Sequence, residues 1–123
     1  VGVFKNAHPL TPPVDRGLRG SLVDVNYGLL FTNHHNVQAV IKNASGLRLY
    51  GSAGLEIINV LEGRLGLYLS RLKPWDLAAG RALAEGLGLV VKAIDEKGLD
   101  VLSSNLVLVA TKQVADDVFA LVN

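Results

Sequence analysis

Apolar positions along this chain fall into short runs, and the period within each run predicts its element. Residues 1–4 and 8–10 read as two short strands around a turn at Lys5-Asn6-Ala7, where Asn6 tolerates left-handed backbone. Thr11-Pro12-Pro13 ends regular structure, because proline has no N–H to give a ladder. Residues 21–25 predict a strand and 34–42 a helix closed by Asn43 to Gly46. A strand over 47–50 leads into Gly51-Ser52-Ala53-Gly54. From Leu55 the spacing turns helical. Leu55, Ile58 and Leu61 share one face and Ile57 and Val60 fill much of the rest, so this helix should be buried on most sides and stop at Gly63.

Residues 65–69 read as a strand, Lys73-Pro74 as a break, and 76–87 as a second helix with Ala79, Leu83, Gly86 and Leu87 on one face. Its run of small residues, Ala78, Ala79, Gly80, Ala82 and Ala84, would let a neighbour approach closely. The near-continuous apolar runs over 88–94 and 105–110 are those of strands covered on both faces, joined by a polar connection over 95–105. Thr111 caps a last helix with an apolar stripe of Val114, Ala115, Val118, Leu121 and Val122. Strands alternate with helices from Leu47 onward, which predicts an α/β fold, a layered sheet with helices on its faces, in a single domain over 1–123. No repeat, linker or low-complexity segment interrupts it.

Composition narrows the function. The 123 residues are 50% apolar and 19% charged, with net charge +1 and scattered Lys and Arg. Nucleic-acid partners need clustered cations or stacking platforms, and neither is present. No apolar stretch approaches the roughly 20 residues that span a bilayer, so no membrane partner is expected. Without cysteine there is no disulfide, thiolate metal site or thiol nucleophile, and a cytoplasmic location is the default. The chain begins at Val1 and contains no methionine, so it reads as an excised or processed piece of a longer protein. Trp75 reads as a packing anchor rather than a sugar platform. His34-His35 reads as a solvated pair, and Glu62, Glu85 and Asp116-Asp117 as solvent-facing.

Chemistry concentrates in two segments, Arg48-Leu49-Tyr50-Gly51-Ser52-Ala53-Gly54-Leu55 and Lys73-Pro74-Trp75-Asp76-Leu77-Ala78-Ala79-Gly80. From position alone, Asp76 could cap the helix that follows it. Gly51, Ser52 and Ala53 could be no more than a tight strand-to-helix turn, or could offer free N–H groups to an anion or hydroxyl. The second segment resembles the Pro-Trp-Asp-x-Ala-Ala-Gly signature of the inositol monophosphatase family. The first is similar to that family's Arg-x-x-Gly-Ser-Ala-Ala-Leu, with Gly54 replacing an Ala. Leu61-Glu62-Gly63-Arg64-Leu65 between them, Gly2-Val3-Phe4-Lys5-Asn6 and Ala84-Glu85-Gly86-Leu87-Gly88 are further echoes.

The resemblance covers the chain but only the second half of a family member. It implies the C-terminal domain of the α/β/α/β/α sugar-phosphatase fold and a Mg²⁺-dependent phosphomonoesterase acting on a small phosphorylated sugar or polyol, as a homodimer in the parent protein. It implies that Asp76 is a magnesium ligand near the substrate hydroxyls and that Gly51, Ser52 and Ala53 line the substrate's polyol side. Mg²⁺ favours hard oxygen donors such as carboxylate and phosphate. The family's remaining carboxylates lie in a segment around Asp-Pro-x-Asp-Gly-Thr that is absent here, so the missing N-terminal half is a required partner and the fragment alone should be inactive.

A second departure is Leu69, seven residues before Asp76, where the resemblance to animal and many bacterial inositol phosphatases implies a Glu that touches ring hydroxyls. Leu69 could border the cleft and weaken inositol preference, or could be a core residue. Alternatives to an inositol phosphatase are a fructose-bisphosphate or nucleotide 3′-phosphate phosphatase half, or a non-catalytic α/β binding module.

Overall fold

In the computed structural model, which describes residues 4–5, 8–31, 34–51, 53–94 and 105–122, the apolar runs assemble into one mixed sheet. Its strands are β3 (Leu22–Val25), β4 (Gly46–Arg48), β5 (Leu67–Leu72), β6 (Val90–Ala93) and β7 (Asn105–Ala110), in the order β4-β3-β5-β7-β6. β3 is parallel to both β4 and β5, whereas β7 runs antiparallel to β5 and β6. The N-terminal strands β1 (Phe4–Lys5) and β2 (His8–Pro9) form a separate antiparallel ladder; Lys5, expected in the turn, belongs to β1, and residues 1–3, 6 and 7 of the expected strand and turn lie outside the described residues. The connection read over 95–105 lies, up to residue 104, outside the described residues.

Alternation in the buried strands divides the core. Leu67 and Leu69 of β5, with Leu106 and Leu108 of β7, face α1 (Val37–Asn43) and α4 (Lys112–Leu121) through Val37, Val40, Val114 and Val118. Tyr68, Leu72, Val107 and Val109 face the other way. They pack with Ile57, Val60, Leu61, Ala84 and Leu87 of α2 (Ala53–Leu61) and of α3 (Pro74–Gly86) with its C-cap. The result is the layered arrangement expected, helices on both faces of a sheet. Each fully buried Leu or Val contributes roughly 1.5–3 kcal/mol, and six of them, Leu67, Leu69, Leu106, Val107, Leu108 and Val109, sit where β5 and β7 meet.

Several boundaries move, each for a local reason. The helix expected from 34 begins at Val37, because His35 and Asn36 both adopt left-handed backbone (φ 52° and 60°) that a right-handed helix cannot continue. Asn36 Nδ2 donates to the Leu121 carbonyl at 2.9 Å, which ties this turn to the end of α4. The strand expected over 65–69 runs instead over 67–72, Gly66 N–H being taken by the Leu22 carbonyl as β5 enters the sheet. α2 stops as expected before Gly63 (φ 81°), but it is not buried all round. Ile57, Val60 and Leu61 are buried, whereas Leu55 and Ile58 are exposed. Leu83 of α3 is exposed too, and Ala84 and Leu87 make the contact.

Thr111 occupies the N-cap position of α4 without capping it with its own side chain. Asp15 does so from a distant loop. Its carboxylate accepts from Gln113 N–H at 2.7 Å and from Thr111 Oγ1 at 2.8 Å. Burial pushes the Asp15 carboxyl upward, but bonds from Gln113, Thr111 and Gly17 with the Lys112 charge outweigh it and leave it below the ordinary value. Asp117, expected to face solvent, accepts Leu18 N–H at 3.0 Å and fastens the same loop.

Candidate active site

Parallel pairing of β3 with β4 and β5 brings the carboxyl ends of three strands to one edge of the sheet. Crevices outside such ends are where ligands settle in open α/β sheets, because the loops there lead into helix N-termini with free N–H groups. Both sequence segments reach this edge. β4 passes through Leu49 and Tyr50 to Gly51, and α2 begins at Ala53. β5 passes through Lys73 into α3. Gly51 has φ 80°, a left-handed conformation that a side chain would strain.

α3 starts two residues earlier than expected. Lys73 is its N-cap and Pro74 its first residue, where a missing N–H costs nothing. Asp76 is therefore in the first turn rather than at the cap, a correction to the capping alternative. A carboxylate there still meets the favourable end of the helix dipole. The side chains of Asp76 and Ala53, and Ser52 entirely, lie outside the described residues.

A cleft of about 390 Å³ opens at this edge, lined among others by Asp24, Gly51, Glu56, Tyr68, Ser70 and Arg71. Its floor is polar and buried. Asp24 is 1% exposed and Glu56 4%. Asp24 Oδ2 accepts Tyr50 N–H at 3.2 Å, and Glu56 Oε1 accepts Gly51 N–H at 2.7 Å. Burial, then the neighbouring Glu56 charge, push the Asp24 carboxyl up to about 7, against the pull of the Tyr50 N–H. Burial likewise pushes the Tyr68 phenol up to about 12; a hydrogen bond with Ser70 opposes this, and Glu56 and Asp24 reinforce it.

Gly51 is thus placed at the cleft. Leu69 is not. It is 0% exposed, in the core facing α1 and α4. Strand alternation turns its neighbours Tyr68 and Ser70 toward the cleft instead. Trp75, read as a packing anchor, stands 71% exposed on this chain. Glu62 pairs with Arg64 at 2.9 Å, and Glu85 pairs with Arg81 on the exposed side of α3.

Asp24 and Glu56 were missed by the sequence reading. Their signal was a single carboxylate inside each of two apolar runs, Leu22-Val23-Asp24-Val25 and Leu55 to Leu61, a pattern that acids take when buried with a partner. They do not form a magnesium site. Each already accepts a backbone N–H, and among the described residues no three His, Asp or Glu side chains come together to hold a metal. Among the described residues, the donors alone do not make up a Mg²⁺ site.

A profile of the Inositol monophosphatase family matches residues 4–123. The inositol-1-monophosphatase of Bacillus subtilis (strain 168) is 30% identical, over 96% of this chain and 46% of its own length. SaIMPase-II bound to 2′AMP superposes with TM-score 0.86 at 26% identity, over 97% of this chain and 47% of that one. An IMPase/NADP phosphatase complexed with Mg²⁺ and phosphate superposes with TM-score 0.84 at 27% identity, over 99% and 46%. The chain spans less than half the length of the relatives it matches.

Proposed function

The chain belongs to the inositol monophosphatase family, and from that premise we propose that it supplies the C-terminal domain of a Mg²⁺-dependent phosphomonoesterase. The observation that carries the reading is the meeting of both family-like segments at one sheet edge, beside a polar cleft. In this reading Asp76 is the carboxylate that this domain contributes to the magnesium site. The other half of the protein contributes the rest. When bound, the metal would polarise the phosphoryl group and activate water. Gly51, Ser52 and Ala53 would hold the substrate hydroxyls, with N–H groups at the start of α2 as donors.

The apolar side chains left outward on α2 and α3, Leu55, Ile58, Trp75 and Leu83, support a further large surface packed there. We assign that place to the N-terminal half. Homodimerisation and a cytoplasmic location belong to the same proposal. No helix among the described residues is long and apolar enough to cross a membrane.

The substrate class is a small polyol or sugar phosphate. A nucleotide phosphate is the second reading, favoured by the relative that binds 2′AMP and the one named for NADP phosphatase activity. Leu69, buried away from the cleft, no longer bears on the choice; Ser70 and Arg71 do. Phosphate release from inositol 1-phosphate, a hexose phosphate and 2′-AMP, with and without Mg²⁺, tests the proposal. The full-length protein should turn over at least one of them only with Mg²⁺, and the isolated chain should match the blank. Metal-dependent turnover by the isolated chain, or none by the full-length protein, would overturn it.

A further inference from the structure

Two carboxylates from different elements, Asp24 on β3 and Glu56 on α2, meet beneath the turn that joins β4 to α2. Both are buried, and each accepts the N–H of one of two consecutive residues, Tyr50 and Gly51. Two like charges so placed repel each other, and burial favours the protonated form of one of them. The turn they hold needs holding. Gly51 at φ 80° is permissive backbone, and among the described residues nothing lies within 4 Å of where a Cβ would stand, so its own sequence does little to fix its direction.

We propose that Asp24 and Glu56 are positioning residues that share a single proton and, as an acid–carboxylate pair, orient the Tyr50–Gly51 turn from which the substrate-binding segment departs. This rests on the reading of Gly51, Ser52 and Ala53 as that segment. In the pair, the Asp24 carboxylic acid donates its proton in a hydrogen bond to Glu56 while its other oxygen accepts Tyr50 N–H. Glu56 accepts Gly51 N–H. Loss of the proton sets two anions against each other under the turn and loosens it. Burial and the neighbouring Glu56 charge, which push the Asp24 carboxyl up, agree with this assignment.

Among the described residues, few groups face the pair. Tyr68 comes from β5, opposite Asp24 in register, and Arg48 is opposite it on β4. Tyr27 and Arg71 line the same cleft, and Tyr50 belongs to the turn itself. Arg48 and Arg71 are exposed and so well screened. Tyr68 titrates far above the range in question.

The test uses the ¹⁵N-labelled full-length protein. The amide signals of Tyr50 and Gly51 should shift together with one midpoint near pH 7. Asp24→Asn keeps both hydrogen bonds, since the amide can donate to Glu56 and accept from Tyr50 N–H, and should abolish that titration. Amides that stay flat from about pH 5 to 9, or that titrate unchanged in Asp24→Asn, would overturn the proposal. This readout requires no turnover, so it remains decisive if the phosphatase reading fails. In an active protein, with inositol 1-phosphate and Mg²⁺, Glu56→Ala should raise KM about tenfold or more and change kcat less than about threefold, and Glu56→Gln should restore KM. An unchanged KM, or a loss confined to kcat, would count against positioning.

Discussion

Gly80 sets how closely α3 approaches α2, and replacing it with alanine tests whether that spacing matters. A Cβ built on Gly80 would lie 2.7 Å from Ile57 Cδ1 and 3.1 Å from Ile57 Cγ2. Ordinary carbon contacts are about 3.5–4.0 Å. Ile57 is itself buried among Val60 and Leu61, so Cδ1 can swing aside but the branch at Cγ2 has little freedom. Two effects compete in Gly80→Ala. Alanine gains about 1 kcal/mol of helix propensity over glycine, while overpacking costs about 1–3 kcal/mol. With two Ile57 atoms inside contact distance the cost falls in the upper part of that range, and the net expectation is a loss of about 1–2 kcal/mol. Ile57→Val removes Cδ1, the nearer atom, and alone costs about 1 kcal/mol. The double variant should therefore be less damaged than the sum of the singles, by about 1 kcal/mol. Urea denaturation of the full-length protein and its three variants measures this. Because α3 carries Asp76 and α2 follows Gly51, Gly80→Ala should also raise the Mg²⁺ concentration needed for half-maximal activity. A neutral or stabilising Gly80→Ala, or strict additivity with Ile57→Val, would refute the packing argument.

Three further outcomes follow from the same geometry. With Asp76 as the proposed Mg²⁺ ligand, Asp76→Asn in the full-length protein should lower kcat/KM beyond the roughly 10–100-fold typical of an outer-shell metal partner, while removing a first-turn charge costs stability only about 0.3–1 kcal/mol; kinetics beside denaturation separates the two, and near-normal turnover at saturating Mg²⁺ would refute the proposed metal role. Asp15→Ala should destabilise by about 1–2 kcal/mol through the lost cap. The Asp15 carboxyl is held below its ordinary 3.8, so its stabilisation is complete above that pH and lost as pH falls below it; Asp15→Asn should flatten that acid limb, and an unchanged limb would contradict the assignment. Leu69→Glu should cost at least about 4 kcal/mol, from lost apolar burial and an unpaired buried carboxylate, and a folded variant with altered substrate selectivity would refute the core placement.

Local signals carried much of this protein. The apolar runs of β5 and β7, the glycine at the end of α2 and the stripe of Val114, Ala115 and Val118 each dictate their element through period and backbone preference, which are properties of neighbours in sequence. The two motif segments were equally legible, and with them the family. What the sequence left open were questions of direction. Leu55 and Ile58 are as apolar as Ile57 and Val60, and only the position of the sheet decides which are buried. Leu69 is apolar on either face of a strand, and the register of β5 between β3 and β7 turns it into the core and Ser70 toward the cleft. The α4 cap comes from Asp15, 98 positions before Gln113. Asp24 and Glu56 stand on separate elements, and no period or spacing joins them. Their pairing arises where the chain folds the end of β3 beneath the start of α2, since the burial that makes two carboxylates share a proton is a property of the assembled molecule.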